Sequence, residues 1–332
     1  MKGALLALFL TAAAQGIAQQ SKAPQTPLDE VEVLSMVMIT GDPTNQYGQH
    51  MIDLAGRRGV SFAVTDEYEQ RLRAAGIEDA LIVALRAAKI GSTTQKDAAA
   101  QARWGQVLQR VARGAELSHK RQYSEADLEF QAALQLERRD GSVHLGHGSL
   151  FAEWSKYNAI AEYREAVRLK PDDAQTHPLL GLAYIGDEAP GPALPELQET
   201  VRLEPNDAWA HYLLGTVEIM VHDTERGIVE FRESLRLRPE DAAAHKGLGA
   251  ALMEKKDLEG AIAELREAAR SNPSDAEAHF FLAGLLEQRG QLEETLEQYR
   301  AIHELQPSES VYRFRYEKLS RQLKATGQGP RN

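Results

Sequence analysis

Val201-Arg202-Leu203-Glu204-Pro205-Asn206-Asp207-Ala208 returns further along the chain as Leu235-Arg236-Leu237-Arg238-Pro239-Glu240-Asp241-Ala242. The two prolines belong to a longer set. Pro171, Pro205, Pro239, Pro273 and Pro307 stand at one constant interval, i to i+34. A period of this length marks a repeat array, in which each unit stacks on the one before it. Proline lacks the amide hydrogen that helix propagation needs, so each of these residues closes a helix just beyond its end. The Asn or Asp that follows can cap the next helix.

Other columns keep the same period. Gly181, Gly215, Gly249 and Ala283 are small, which lets two helices approach closely. Twelve residues after each come Ala193, Gly227, Ala261 and Thr295, and four further on Leu197, Phe231, Leu265 and Tyr299. Taken with the prolines, this pattern resembles the tetratricopeptide repeat family. Four units, counted from Ala174, Ala208, Ala242 and Ala276, are in strict register. An earlier unit shows Ala159, Tyr163, Ala166 and Pro171, with its first helix out of register around His144–Trp154. One more shows Gly114, Tyr123, Ala126, Phe130 and Ala133, with Arg138 where proline is expected. The resemblance implies an all-α fold: a right-handed α-solenoid of about six helix pairs over residues 107–309. The segment Val311–Leu319 reads as a final helix covering the open end, within a cap at 310–325 ahead of a disordered tail at 326–332.

The other end has a different composition. Met1-Lys2, the apolar run Ala4–Leu10 and the small residues up to Ala18 describe a signal peptide at 1–18, cut after Ala18 or Ala14. The run is too short to cross a bilayer, which takes about 20 residues. An exported protein, periplasmic or extracellular, is the expectation. Residues 19–27 read as a linker and 28–91 as a small helical module. Helices are expected at Asp29–Thr40, Gln49–Ala55, Asp66–Ala75 and Ala80–Ala88, the third capped by Thr65. From Arg58 to Leu81 the module is similar to one attached to various bacterial proteins. Residues 92–106 are expected to run the first repeat's helix backward toward residue 95.

Composition excludes several functions. The chain has 38 Lys+Arg against 49 Asp+Glu, a net charge of −11. That balance repels phosphate backbones and sets aside a helix-turn-helix reading of the module, so no nucleic-acid partner is expected. With no cysteine there is no disulfide, thiolate site or cysteine nucleophile. His177, His211, His245 and His279 keep the interval of the prolines. Equivalent positions on stacked helices lie about 8–10 Å apart, whereas zinc needs each ligand nitrogen at about 2 Å. These histidines are expected to pack against the preceding unit. His144 and His147 lack a third ligand at fixed spacing. No hydrolase elbow, zinc-protease motif or phosphate loop is present. No catalytic residue, metal or cofactor is expected, and no transmembrane segment.

The resemblance implies that the first helix of each unit lines a concave groove. The positions facing it give Trp209, Tyr212, Thr216 and Met220 in one unit, Lys246 and Met253 in the next, and Phe280 and Glu287 in the last. Aromatic and thioether side chains there suit a protein or extended peptide. Trp209 is expected at the rim. Lys246 alone matches the paired lysines and asparagines by which some members grip a peptide's C-terminal carboxylate, so that specificity is not expected. The reading is a non-catalytic scaffold or adaptor of the bacterial cell envelope. Its alternatives are a substrate-recruiting subunit of a multi-chain envelope enzyme and a self-assembling structural protein.

Overall fold

The computed structural model describes residues 62–75, 77, 79–88, 98–152 and 155–325, together with Val33 and Val60. The signal peptide, the linker, the helices expected at Asp29–Thr40 and Gln49–Ala55, and the tail at 326–332 lie outside the described residues. Fifteen helices are described. α1 (Asp66–Ala74) and α2 (Asp79–Ala87) belong to the module. Six helix pairs follow: α3 (Ala98–His119) with α4 (Tyr123–Leu136), α5 (Gly141–Ala152) with α6 (Lys156–Leu169), α7 (Thr176–Gly186) with α8 (Pro190–Leu203), α9 (Ala208–Met220) with α10 (Thr224–Leu237), α11 (Ala242–Glu254) with α12 (Leu258–Ser271), and α13 (Ala276–Gln288) with α14 (Leu292–Leu305). α15 (Ser310–Ala325) ends the series. The chain divides into two compact units, with the change between Val217 and Glu218 inside α9.

In the first unit α3, α5 and α7 each pack on the partner that follows, and α4 on α5 and α6 on α7 join the hairpins. Thr65 caps α1 by accepting from the Tyr68 amide at 3.2 Å, as the sequence predicts. α1 also packs on α3, which is described from Ala98 onward; the backward extension expected toward residue 95 lies outside the described residues. In the second unit α10 packs on α11, α11 on α12, α12 on α13, α13 on α14 and α14 on α15. Aspartates two residues beyond the prolines start the first helices: Asp241 Oδ1 accepts from the Ala243 amide at 2.9 Å, and Asp275 Oδ1 from the Glu277 amide at 3.0 Å. Asp223 and Asp257 cap the second helices in the same way.

What sets the spacing inside a hairpin is a missing Cβ. A Cβ on Gly181 would sit 2.8 Å from the Leu197 side chain, and one on Gly249 2.8 Å from Leu265. Gly114 against Phe130 and Gly148 against Tyr163 are tighter, at 2.6 Å. The large partner from the second helix fills the space that the glycine leaves. The last pair of residues locates the register fault in the sequence. Gly181 and Leu197 are sixteen residues apart, Gly148 and Tyr163 fifteen, so one residue is missing between Gly148 and Tyr163. Gly148 is therefore the small residue of its repeat.

The histidine column forms a second fastening. His177 Nδ1 lies 2.7 Å from Glu196 on α8, and its Nε2 faces the Pro171 carbonyl at 2.8 Å. His245 repeats this with Glu264 at 2.7 Å and the Pro239 carbonyl at 2.9 Å. His279 has Gln298 in place of the acid, at 2.6 Å, and the Pro273 carbonyl at 3.1 Å. His144 joins the set with Glu162 at 2.7 Å and the Arg138 carbonyl at 3.3 Å, so Arg138 supplies the carbonyl that a proline gives elsewhere. The side-chain partner is thus the second helix of the same hairpin, not the preceding unit as expected. Only the carbonyl comes from the preceding turn. The reason is reach: a histidine in the first turn faces across its own hairpin to the middle of the second helix.

Burial works to lower the pKa of His144, His177 and His245, but the hydrogen bond to the facing glutamate, its charge and the turn carbonyl outweigh it and leave each raised. The folded chain therefore holds these protons more tightly than the unfolded one. That stability is full below the ordinary value of 6.5 and is lost as pH climbs past the folded values. The thermal midpoint is expected to fall across that window, and Glu264→Gln, which copies the arrangement at Gln298, to flatten the fall when melting is followed by circular dichroism from acid to alkaline pH. Packing gives a second expectation. Gly148→Ala should cost about 1–3 kcal/mol by overpacking. Gly105→Ala, on the exposed side of α3 with nothing within 4 Å of the new Cβ, should gain about 0.5–1 kcal/mol. Urea unfolding midpoints of the two variants measure both.

Candidate functional site

The groove positions separate by exposure. In the first unit Trp209 is 4% exposed and Tyr212 is fully buried. The Trp209 amide donates to Asp207 Oδ1 at 2.9 Å, which fixes the residue in the first turn of α9. Trp209 is thus not the rim residue expected, because a large indole gains more from enclosure than from water. Thr216 is buried too, and its Oγ1 donates to the Tyr212 carbonyl at 2.9 Å.

In the second unit Met220 and Met253 are half-buried. Lys246 is buried and committed: its Nζ donates to Asp275 at 2.7 Å and to Glu277 at 3.2 Å. It ties α11 to the start of α13, and is not a free cation for a ligand carboxylate. Glu287 is engaged as well. Its Oε2 accepts from the Tyr299 hydroxyl at 2.9 Å, and Arg315 of α15 donates to that same hydroxyl at 2.9 Å. Phe280 is the open aromatic, 36% exposed. Its ring meets Phe281 edge-on with centroids 5.8 Å apart, and Tyr312 at 6.0 Å. One turn further along the same face is Gly284, where an added Cβ would meet nothing within 4 Å. An aromatic face beside a notch is what α13 leaves open.

One buried acid was missed by the sequence reading. Glu218 is buried, and its Oε2 has no hydrogen-bond partner among the described residues. Burial first, and then the charge of Glu230, push its pKa up to about 7. The signal was available in the column: Tyr184, Leu252 and Leu286 stand at the equivalent positions. A raised carboxyl means that the folded chain prefers the protonated form. Stability from this group is full below the ordinary 4.5 and is lost as pH rises through about 7. Glu218→Leu, which restores the column, is expected to stabilise the chain at pH 8 and to gain much less at pH 4. Denaturant melts at the two pH values measure it.

In the first unit a cleft of about 460 Å³ opens between α4 and α6, over His147 and Phe151 of α5. His147 Nε2 lies 2.7 Å from Asp127 and its Nδ1 3.3 Å from Glu162, while the ring stacks on Phe130. Glu162 thus faces both His144 and His147. Burial would raise its pKa, but these two hydrogen-bond partners bring it down to about 2. The pair considered for metal binding belongs to a cluster of histidines and carboxylates joining three helices. Among the described residues no group of three or more His, Asp or Glu side chains is placed to hold a metal ion, and no helix is long and apolar enough to cross a membrane.

A family model described as Tetratricopeptide repeat matches residues 222–275 and 259–310. Among solved structures, Cut9 of the APC/C hetero-tetramer Cut9–Hcn1 aligns over 87% of this chain and 54% of its own, at 18% identity and a TM-score of 0.56. The pilF protein of Pseudomonas aeruginosa aligns over 65% of this chain and 99% of its own, at 17% identity and a TM-score of 0.55. YrrB, described as a TPR protein with an unusual peptide-binding site, aligns over 50% of this chain and 86% of its own, at 23% identity and a TM-score of 0.45. No curated protein matches the sequence. At these identities the first two likenesses show the fold: stacked pairs of helices.

Proposed function

Because residues 222–310 belong to the tetratricopeptide repeat family, we propose that this chain is a non-catalytic scaffold that takes a protein or an extended peptide along the first-helix face of its last repeats. We place its work in a bacterial cell envelope, after removal of a leader ending near Ala18. The observation that carries the binding reading is the open ring of Phe280 beside the notch at Gly284. Elsewhere on these first helices the large groove candidates are enclosed or ion-paired, as Trp209, Tyr212 and Lys246 are. A side chain from an extended ligand fits the notch, and the Phe280 ring supplies apolar contact beside it. Aromatic side chains of this kind carry a large share of interface energy. Met253 and Met220, half-buried on the preceding first helices, add surface that adapts its shape to a ligand.

The envelope reading rests on the sequence of the first eighteen residues, with their basic start, short apolar core and small-residue end.

Gly284→Leu separates binding from folding. It fills open space and replaces a weak helix former with a strong one, so the chain keeps its stability while the notch closes. Immobilised mature chain is expected to capture a partner from a periplasmic extract, and both Gly284→Leu and Phe280→Ala to lose it at least tenfold. Equal capture by all three chains would overturn the site. N-terminal sequencing of the native protein is expected to begin near Gln19. An intact Met1 in a cytosolic fraction would overturn the envelope assignment and leave the binding reading standing.

A further inference from the structure

α15 starts at Ser310, one full repeat period after Ala276, so it holds the place of a seventh first helix. Its inner side is apolar and used. Leu319 and Leu323 are buried in a cluster with Leu296, Tyr299 and Ile302, with Tyr312 and Tyr316 packed against it. Its outer side is not used in this way. Phe314 is 60% exposed and Val311 57%. Three residues apart on a helix, they are neighbours on one surface. Lys318 and Arg321 follow Phe314 at helical spacing on the same side.

The charge on this helix is reversed relative to the chain. Ser310–Ala325 carries Arg313, Arg315, Lys318, Arg321 and Lys324 against Glu317 alone, in a protein of net charge −11. Arg315 turns toward Tyr299. The other four bases make no ion pair among the described residues. Elsewhere in the unit arginines close onto nearby carboxylates: Arg236 on Glu233, Arg266 on Glu294, Arg270 on Glu267. Nor does this face await another repeat of the chain's own kind. Glu317 stands one period after Ala283, in the column where a hairpin needs a small residue. A second helix cannot close there as it does on Gly249.

We propose that the outer face of α15 docks an acidic segment of a partner protein, which seats an apolar side chain against Phe314 and Val311 and lays its carboxylates beside Arg313, Lys318, Arg321 and Lys324. An exposed aromatic ringed by basic residues has the anatomy of a protein interface, with an apolar centre and a polar rim. It suits a bilayer poorly. Surface-lying helices bury a broad apolar face in lipid, and here that face is already spent on α14.

The test is fluorescence anisotropy with the full chain and a labelled peptide of glutamates interrupted by leucines at three- and four-residue spacing. A second peptide has glutamine for glutamate, and vesicles with and without anionic lipid complete the set. The glutamate peptide is expected to bind and the glutamine peptide to bind at least tenfold more weakly. Phe314→Ser should weaken binding about tenfold, Lys318→Glu with Arg321→Glu should abolish it, and Tyr157→Ser, which changes an exposed aromatic on α6, should leave it unchanged. These side chains are exposed, and helicity checks that α15 persists. No binding of the glutamate peptide, equal binding of both peptides, or binding that survives Phe314→Ser overturns the proposal. So does capture by anionic vesicles in place of the peptide. Self-association in light scattering that disappears with Phe314→Ser would make the occupant a second copy of the chain, and overturns it too.

Discussion

Four of the hairpins depend on one close approach. The first helix gives up a Cβ, and a Leu, Phe or Tyr of the second helix occupies the space. The axis-to-axis distance follows from that exchange, because interiors pack too densely to leave the gap open. The histidine fastening is then possible only because the helices are this close. His177 and His245 reach a glutamate on the second helix at 2.7 Å while also facing a turn carbonyl one repeat boundary back. Packing sets the distance, and the hydrogen bonds fix the rotation about it. The two constraints act on different residues of the same first helix, so a substitution in one column is felt in the other.

The repeat was legible because its columns are made of the residues that these constraints require. Small residues, large partners and prolines recur at one period, and a sequence read for those columns yields the helix pairs. The fault around α5 shows where such reading stops. One residue is absent between Gly148 and Tyr163, so His144 and Gly148 fall a step out of column although they do the same work as His177 and Gly181. In the sequence they looked like a histidine pair among glycines. The distances assign them to the fastening and the close approach. The partner of the histidines was misread for a similar reason. A column shows which residue recurs, and not which of two neighbouring helices its side chain meets.

The groove was less legible than the fold. Column position puts Trp209, Tyr212, Lys246 and Phe280 on equivalent helices, but it does not say what each side chain has already contacted. Lys246 is paired with Asp275, itself the cap of α13, so one aspartate both starts a helix and holds the preceding repeat's lysine. Glu287 is tied to Tyr299, which Arg315 of α15 also holds. Neither link recurs with the period of the repeat, and so neither could be read from the columns. Glu218 could have been, since a carboxylate among Tyr184, Leu252 and Leu286 is out of place on its face.

Tyr212, Lys246, Phe280 and Phe314 occupy one column, and their exposure changes along the chain. Tyr212 and Lys246 are enclosed, while Phe280 and Phe314 are open. Lys246 has the complete α13–α14 hairpin beyond its own to cover this position. Phe280 has only α15 beyond its own hairpin, and Phe314 has no further helix among the described residues. Burying an aromatic side chain is favourable by roughly 1.5–3 kcal/mol, so leaving two of them open at consecutive positions forgoes stability that the rest of the array collects. A cap built for stability alone would carry polar residues there, as terminal repeats generally do. α15 instead keeps Phe314 and Val311 and surrounds them with bases that lack ion-pair partners among the described residues. The end of the array therefore keeps an apolar face that its own hairpins leave open, while its interior columns are shaped by the hairpins themselves.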